Sequence, residues 1–317
     1  MARIRTRALL ATGEMHLVGI ASRHLSTAQA MAVEFGCNEY YDNYQSLVES
    51  RPDAVLVEVP HEAQDSVVLW ALAQKYHVLI GGTLATTMDV ADQISTLAEK
   101  NKLVVEAGYE ARYSPAWEYA KQLLESGELG RLVTIRSIAL WAGDPKSWYY
   151  NQRISGGMPL THMTYCFINP VRWIAGEPLA ISAFANRVLN TATDLIEQEN
   201  IVANMRFKND VLCNMTAGFV APAGFPAWSA TFIGTKGAVE IRPDEVGTGT
   251  VTIYIGGNAE EYNFTGTANA FNLQANAFMA AIEGEGQIRN NPKACNGDVI
   301  AANAIVASVK EGRTIVM

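Results

Sequence analysis

The chain has 317 residues, of which 49% are hydrophobic and 18% are charged, and its formal net charge is -8. This length favours two domains, and the composition is that of a folded globular protein, which excludes extended disorder. Lys and Arg form no cluster interleaved with aromatic residues, and no apolar run reaches the ~18 residues that span a bilayer, so we expect neither a nucleic-acid nor a membrane partner.

The four cysteines are widely separated and form no C-x-x-C pair, so we predict neither a disulfide framework nor a metal site. The N-terminus contains arginines and lacks the apolar centre of a signal peptide. We therefore predict a cytoplasmic protein whose partner is a small molecule.

The N-terminal third alternates predicted helices and strands. Residues 1–13 predict a helix that ends at Gly13, with Ile4, Ala8 and Ala11 on one face. Four apolar runs then predict buried parallel strands, which helices cover on both faces. These runs are HLVGIA (16–21), DAVLVEV (53–59), HVLIG (77–81) and LVVEAG (103–108). We predict a parallel α/β sheet in a first domain, residues 1–111.

After a predicted helix at 113–127, the strands acquire the alternating pattern of half-buried sheets. Seven runs show it: 131–140, 180–188, 200–207, 211–219, 229–234, 237–242 and 250–256. Further helices are predicted at about 157–175, 271–284 and 295–310. We predict a second, α+β domain, residues 112–317, with helices on one face of an open, mainly antiparallel sheet.

The predicted first helix has no strand ahead of it. Dinucleotide-binding domains begin with a strand and a G-x-G-x-x-G turn, whose glycines let backbone amides approach a pyrophosphate. The sequence therefore predicts a nucleotide-binding sheet that lacks its first strand and its glycine-rich turn. A late start of the reading frame and a genuine loss both explain this. The unpaired strand edges that a loss leaves favour the first.

Several segments occur in a characteristic order: YHVLIGGTLATT, GYEARYSPAWEYAKQLLESGELGRL, SGGMPLTHMTYCFINPVRWIAGEP, FIGTKGAVEI and SVKEGRTIVM. Together they resemble the Gfo/Idh/MocA family of glucose-fructose oxidoreductase and inositol dehydrogenase. The resemblance implies a Rossmann-type domain that binds NAD or NADP, and a sugar, cyclitol or related substrate between that domain and the open sheet. It also implies a homodimer or homotetramer formed through this sheet.

The family's E-K-P segment, whose lysine positions the substrate and assists proton transfer, aligns with Gly81, Gly82 and Thr83. A glycine offers only a backbone N–H where a lysine supplies an ammonium group. The glycines make either a tight strand-to-helix turn or room for a bulkier substrate. The family's T-P-x-x-x-H segment keeps only its proline, Pro60. By this resemblance Pro60, Gly81 and Gly82 border the cofactor.

The family's D-x-x-x-H pair aligns with His162 and Cys166. Residues four apart share a helix face, so both could reach the cleft. His162 is the first choice for general acid or base because histidine titrates near neutrality. Tyr149 and Tyr150 are the next choices. A His–Cys pair could also activate a thiolate, and the structural alternative is a histidine of the cleft wall beside a small buried cysteine.

The remaining candidates bind cofactor or substrate. Ser22 and Arg23 follow the first predicted strand, where relatives that use NAD have an acidic residue, so NADP is preferred over NAD. Aromatic and basic groups near a cleft suit a sugar face or an anionic substituent. The predicted substrate contacts are Tyr109, Arg112, Trp148, Arg153 and Cys166.

Three functions are consistent with these residues. The first is an NAD(P)-dependent oxidoreductase that acts on a sugar-like hydroxyl or carbonyl. The second is a catalytically inactive ligand-binding or partner subunit, because all three motifs are altered. The third is a non-redox enzyme, such as a lyase, that works through His162.

Overall fold

The structure is a computed structural model that describes residues 1–189, 195–222, 224–225 and 227–317. Its α-helices are Ala2–Leu10 (α1), Leu25–Phe35 (α2), His61–Ala73 (α3), Met88–Asn101 (α4), Pro115–Ser126 (α5), Gln152–Ser155 (α6), Asn169–Ala175 (α7), Ala270–Ile282 (α8) and Pro292–Glu311 (α9). A π-helix spans Pro159–Ile168, and 3-10 helices span Gln45–Ser50, Glu110–Tyr113, Trp148–Tyr150 and Lys208–Asp210.

The strands are Ile20–Ala21 (β1), Tyr40–Tyr41 (β2), Ala54–Val57 (β3), His77–Ile80 (β4), Val105–Ala107 (β5), Leu132–Leu140 (β6), Pro178–Asn186 (β7), Asn200–Phe207 (β8), Leu212–Gly218 (β9), Trp228–Gly234 (β10), Gly237–Arg242 (β11), Thr250–Ile255 (β12), Asn258–Asn263 (β13) and Ile315–Val316 (β14). They form three sheets. The last helix, α9, contacts strands of two of these sheets, β5 and β7.

The N-terminal strands are parallel, which confirms the predicted α/β sheet. β3, β4 and β5 form one sheet in which Val78 pairs with both Val55 and Val105. β1 and β2 form a separate parallel pair. Within the described ranges no strand joins the two sheets. The run HLVGIA is a strand only at its last two residues.

Helix α1 buries a face that differs from the predicted one. Ile4 and Ala11 are exposed, whereas Arg5 is 2% exposed. Ala8 is buried as expected, against Phe271 of α8. The prediction of the buried face was wrong because it counted apolar residues only, whereas Arg5 has buried polar partners, which make its burial possible.

The C-terminal sheet has nine strands in the order β13-β12-β11-β10-β6-β9-β8-β7-β14. Adjacent strands of this sheet are antiparallel, except for β6 and β9, which are parallel to each other. This confirms the predicted open, mainly antiparallel sheet. Its inner face packs on α5, the π-helix and α9 in one core that includes Trp117, Phe167, Phe232 and Ile305.

The predicted helix at 157–175 is a π-helix followed by α7. Gly156 and Gly157 precede it with φ of 76° and 96°, a left-handed conformation that favours glycine. Hydroxyls inside it donate to backbone carbonyls, as Thr164 does to Leu160 at 2.8 Å. The π-helix carries His162 and Cys166, so its conformation decides where these two side chains lie.

Helices α8 and α9 belong to both halves of the molecule. α8 packs on α1, and α9 packs on α4, β5 and β7. Cys295 and Val299 of α9 share a core with Val78 and Ala107 of the parallel sheet. The division of the chain between residues 111 and 112 stays a prediction. No helix in the described ranges is both long and apolar enough to cross a bilayer.

Candidate active site

The candidate cleft of this chain lies at the carboxyl edge of the parallel sheet. β3 and β4 run side by side, so the residues that follow them, Glu58 and Gly81, lie at the same edge. Pro60 precedes α3, which begins at His61. In open α/β sheets this edge is where ligands bind. The opposite wall comes from the second half of the chain, where Trp148 lies 5.5 Å from His61 between ring centroids.

His162 lies inside a cage of aromatic rings. Its ring centroid is 4.6 Å from Trp141, 4.8 Å from Tyr149 and 4.7 Å from Phe219. Part of the ring is exposed, yet loss of hydration and, secondarily, repulsion by His61 lower the pKa of His162 to about 3. The expected titration near neutrality therefore does not hold here. The imidazole is neutral at physiological pH, because its charged form would be poorly solvated.

Among the described residues, one ring nitrogen of His61 has a hydrogen-bond partner and the other has none. Its Nδ1 lies 2.7 Å from the carbonyl oxygen of Ser155, and since a carbonyl only accepts, Nδ1 carries the hydrogen. Nε2 has no hydrogen-bond partner in the described part of the chain, although His61 is 6% exposed. Burial lowers the pKa of His61, and the bond to Ser155 opposes this.

Gly81 and Gly82 differ in their surroundings. A Cβ on Gly81 would lie 2.2 Å from the Cδ of Glu58, so the carboxylate fills the space of a side chain there. A Cβ on Gly82 would lie 3.7 Å from the Nε2 of His61, which is an ordinary contact. Position 82 therefore has room for a Cβ, and position 81 does not.

A buried ionic cluster lies beside this edge. The Nε of Arg5 is 2.9 Å from the Oε1 of Glu58, and a guanidinium nitrogen is 3.5 Å from the Oε2 of Glu110. The same guanidinium donates to Gln274 at 2.6 Å and to the carbonyl of Gly108 at 2.5 Å. Burial raises the pKa of both carboxyls, and Arg5 opposes the rise.

An ion pair crosses the mouth of the cleft. Arg153 of α6 pairs with Glu62 of α3, and the two side chains are 75% and 38% exposed. With the bond between His61 and Ser155, it holds α6 to the first turn of α3. The structure therefore brings together four predicted residues, Trp148, Tyr149, Arg153 and His162, although Arg153 is occupied by its ion pair.

Other predicted residues lie inside the core. Tyr109 is fully buried, donates to the Oγ1 of Thr83 at 2.9 Å and accepts from the backbone of Leu84. Arg112 donates to the side chain of Asn169 at 2.9 Å and is buried. Their polar groups connect segments of the core, and neither side chain offers the cleft a free surface.

Tyr150 and Cys166 are also buried. The ring of Tyr150 packs 4.9 Å from that of Phe219, and burial raises its pKa to about 12. Burial likewise raises the pKa of the Cys166 thiol well above its usual value. A thiolate at Cys166 is therefore disfavoured, which removes the physical basis of the His–Cys alternative.

The end of β1 offers polar groups for a nucleotide. Ser22 is partly exposed, and the exposed side chain of Arg23 has no ion pair or hydrogen bond in the described ranges. No carboxylate follows β1 directly, because His24 is the next residue. That Ser22 and Arg23 hold the adenosine ribose of a nucleotide stays a prediction.

That Pro60, Gly81 and Gly82 border a cofactor likewise stays a prediction. The carboxylate of Glu58 at this edge lies 2.9 Å from the Nε of Arg5, which balances its charge, so Glu58 opposes an anionic ligand less than a free carboxylate would. Across the described residues no group of three or more His, Cys, Asp or Glu side chains could hold a metal ion.

Comparison with known proteins agrees with both halves of the fold. Residues 1–109 match the model of an oxidoreductase family with an NAD-binding Rossmann fold, and residues 117–240 match that of the GFO/IDH/MocA C-terminal domain. A curated relative, an uncharacterised oxidoreductase of Synechocystis sp., is 23% identical over 72% of this chain and 65% of its own length. The myo-inositol dehydrogenase of Streptomyces leeuwenhoekii is 23% identical over 86% of this chain and 83% of its own.

Several of the curated relatives are matched over less than two thirds of their length. Among solved structures, that of a levoglucosan dehydrogenase in complex with NADH and levoglucosan superposes with a TM-score of 0.87 at 18% identity. The superposition covers 100% of this chain and 96% of the other. At this identity the likeness concerns the fold.

Proposed function

The chain belongs to the GFO/IDH/MocA oxidoreductase family, and we propose that it is an NAD(P)-dependent oxidoreductase of a sugar, cyclitol or related compound. The observation that supports this best is the aromatic cleft at the carboxyl edge of β3 and β4. Relatives named as dehydrogenases of levoglucosan and inositol support the substrate class. Nothing in these comparisons favours the alternative of an inactive partner subunit.

We propose NADP as the preferred nucleotide. The guanidinium of Arg23 can pair with a 2'-phosphate through two parallel hydrogen bonds, and no carboxylate at the end of β1 repels that phosphate. When bound, the nucleotide supplies hydride transfer, so the protein's task is to place the substrate carbon and to handle a proton.

The substrate's ring would lie against Trp148 and Tyr149, whose stacked rings are 4.1 Å apart between centroids. Aromatic faces suit the C–H face of a sugar. His162 would contact a substrate hydroxyl as a neutral imidazole, since its pKa of about 3 makes it a hydrogen-bonding group rather than a store for protons. This differs from the role of general acid or base that the sequence favours.

The direct test is nucleotide binding by isothermal titration calorimetry. We expect the protein to bind NADPH more tightly than NADH and to gain thermal stability with either. Ser22→Asp should reverse this preference by tenfold or more, because a carboxylate repels the 2'-phosphate and accepts from a ribose diol. Glu14→Gln, an exposed change, serves as the control. No binding of either nucleotide at millimolar concentration would contradict the proposed function.

A further inference from the structure

The free Nε2 of His61 is the feature that the proposed function leaves unused. The side chain is 6% exposed, and Ser155 and Trp148 fix the ring from two sides. Nε2 itself is not fully buried, so a ligand can reach the one nitrogen of the ring that has no partner among the described residues. The orientation of His61 therefore points to a ligand group at Nε2.

The neighbours of Nε2 indicate where this ligand group would lie. It faces Gly82, on which a Cβ would lie 3.7 Å from Nε2, and Gln64, one turn along α3, faces the same point with its Oε1. The amide nitrogen of Gln64 is held by the carbonyl of Thr83 at 2.8 Å. The ring and the amide thus border the position that a Cβ of residue 82 would take, which glycine leaves free.

We propose that the Nε2 of His61 binds the reacting hydroxyl of the substrate and takes its proton, in the space that Gly82 leaves free. This rests on the proposed function. In the oxidation, the O–H bond breaks and its proton goes to Nε2. The neighbouring C–H hydrogen leaves with its electron pair as hydride to the oxidised nicotinamide nucleotide, and the carbon–oxygen bond becomes double. Reduction reverses each transfer.

The surroundings of His61 suit a proton acceptor. Its Nδ1–H bond to Ser155 keeps the lone pair on Nε2 and steadies the ring when it becomes protonated. The charged and titratable groups that face it are His162 from the π-helix, Tyr149 beside Trp148, and the ion pair of Glu62 and Arg153. Burial lowers the pKa of His61, so the ring is unprotonated at neutral pH and can accept a proton. The bond to Ser155 opposes this lowering, whereas among the described residues nothing opposes it at His162, so His61 is the better proton acceptor of the two.

His61→Asn separates this role from a structural one. The amide nitrogen of asparagine can replace Nδ1–H in the bond to Ser155, but no atom replaces Nε2. We expect kcat to fall by ~100-fold or more with KM changed by less than about threefold, because proton transfer is lost while binding surfaces remain. The double variant His61→Asn, Gly82→Lys should recover part of kcat, since an ammonium group then occupies the open space. His16→Asn, an exposed change, is the matched control.

A second measurement does not depend on turnover. Nitrogen-15 NMR of the histidine rings, with His61 assigned by the asparagine variant, should show the Nδ1–H form with an unprotonated Nε2 at pH 7. The opposite tautomer overturns the proposal, as does a His61→Asn enzyme with kcat near that of the wild type. A wild type that neither binds NADPH nor oxidises levoglucosan or myo-inositol contradicts the proposed function instead, and the NMR result still tests His61.

Discussion

The carboxylate of Glu58 lies in the space that a side chain on Gly81 would need. A Cβ there would be 2.2 Å from its Cδ and 2.3 Å from its Oε1. The two residues end neighbouring parallel strands, in which Val57 pairs with Ile80, so their positions are coupled by the sheet. This edge accommodates one large side chain, and the chain places it on β3 rather than on β4.

Gly81→Ala should therefore destabilise the protein. The methyl group forces the carboxylate of Glu58 away from Arg5, and overpacking of this kind costs about 1–3 kcal/mol. Gly82→Ala is the matched control, because its nearest neighbour would be 3.7 Å away. Urea unfolding followed by circular dichroism measures both. Equal stabilities of the two variants would contradict the coupling.

The same coupling predicts non-additivity. In a Glu58→Ala background the space beside Gly81 is empty, so Gly81→Ala should cost much less there than in the wild type. A double-mutant cycle isolates this difference, which we expect to exceed about 1 kcal/mol for residues in contact. Additive changes would show that the backbone at Gly81, and not Glu58, excludes the side chain.

Arg5 should be among the most sensitive residues of α1. Its buried guanidinium forms ion pairs with Glu58 and Glu110 and donates a hydrogen bond to Gln274. Arg5→Met therefore removes the guanidinium that pairs with these two buried carboxylates. Removing one partner of such a cluster costs about 3–5 kcal/mol. Arg3→Met, which breaks an exposed pair with Glu34, should leave stability nearly unchanged. Guanidinium unfolding of the three proteins checks this, and similar losses in both variants would contradict it.

Glu106 predicts a pH dependence of stability. Burial raises its pKa to about 7, although Tyr113 donates to it at 2.6 Å. A carboxyl whose pKa is higher in the folded state binds its proton more strongly there, so its contribution to stability is present at low pH and is lost as the pH rises from about 5 through 7. The loss amounts to roughly 3 kcal/mol at pH 8.

Glu106→Gln removes this titration. We expect the variant to match the wild type near pH 5 and to be more stable at pH 8, so that its stability profile is flatter. Chemical unfolding at intervals of half a pH unit gives the two curves. Glu99→Gln, an exposed change on α4, should keep the wild-type profile. Parallel curves for Glu106→Gln and the wild type would show that the carboxyl does not titrate in this range.

Much of the fold can be predicted from the sequence, because the hydrophobic pattern of a strand or helix is contained within a short segment of the chain. The apolar runs at 53–59 and 77–81 correspond to β3 and β4, and the alternating runs correspond to β6 through β12. β13, all of whose residues are exposed, gives no such signal. The burial of Arg5 could not be predicted either, since its partners Glu58, Glu110 and Gln274 come from distant parts of the chain.

The site was predicted less completely than the fold. His162, Tyr149 and Trp148 were found through the resemblance, and they meet at the cleft. The sequence prediction did not include His61 and Glu58, because it rested on the family's E-K-P segment, which Gly81, Gly82 and Thr83 replace in this chain. A histidine directly after the proline that precedes α3 was the available signal for His61. The pKa of His162 could not be foreseen, because its aromatic neighbours Trp141 and Phe219 lie elsewhere in the sequence.

The outer face of the nine-stranded sheet predicts self-association. Phe184 and Leu212 are 72% and 56% exposed. In both strands the residues next to them in sequence point to the other face of the sheet and are more buried. Leu212 pairs with Arg206 across the sheet, so apolar and charged groups mix on this face as they do in interfaces. We expect the wild type to be a dimer or tetramer of 34.4 kDa chains at micromolar concentration.

The double variant Phe184→Asp, Leu212→Arg should be a monomer by light scattering, because it places charges in the interface. Val33→Asp, at a residue 79% exposed on α2, is the control and should keep the wild-type mass. A monomeric wild type, or an unchanged mass in the double variant, would show that this face does not join copies of the chain.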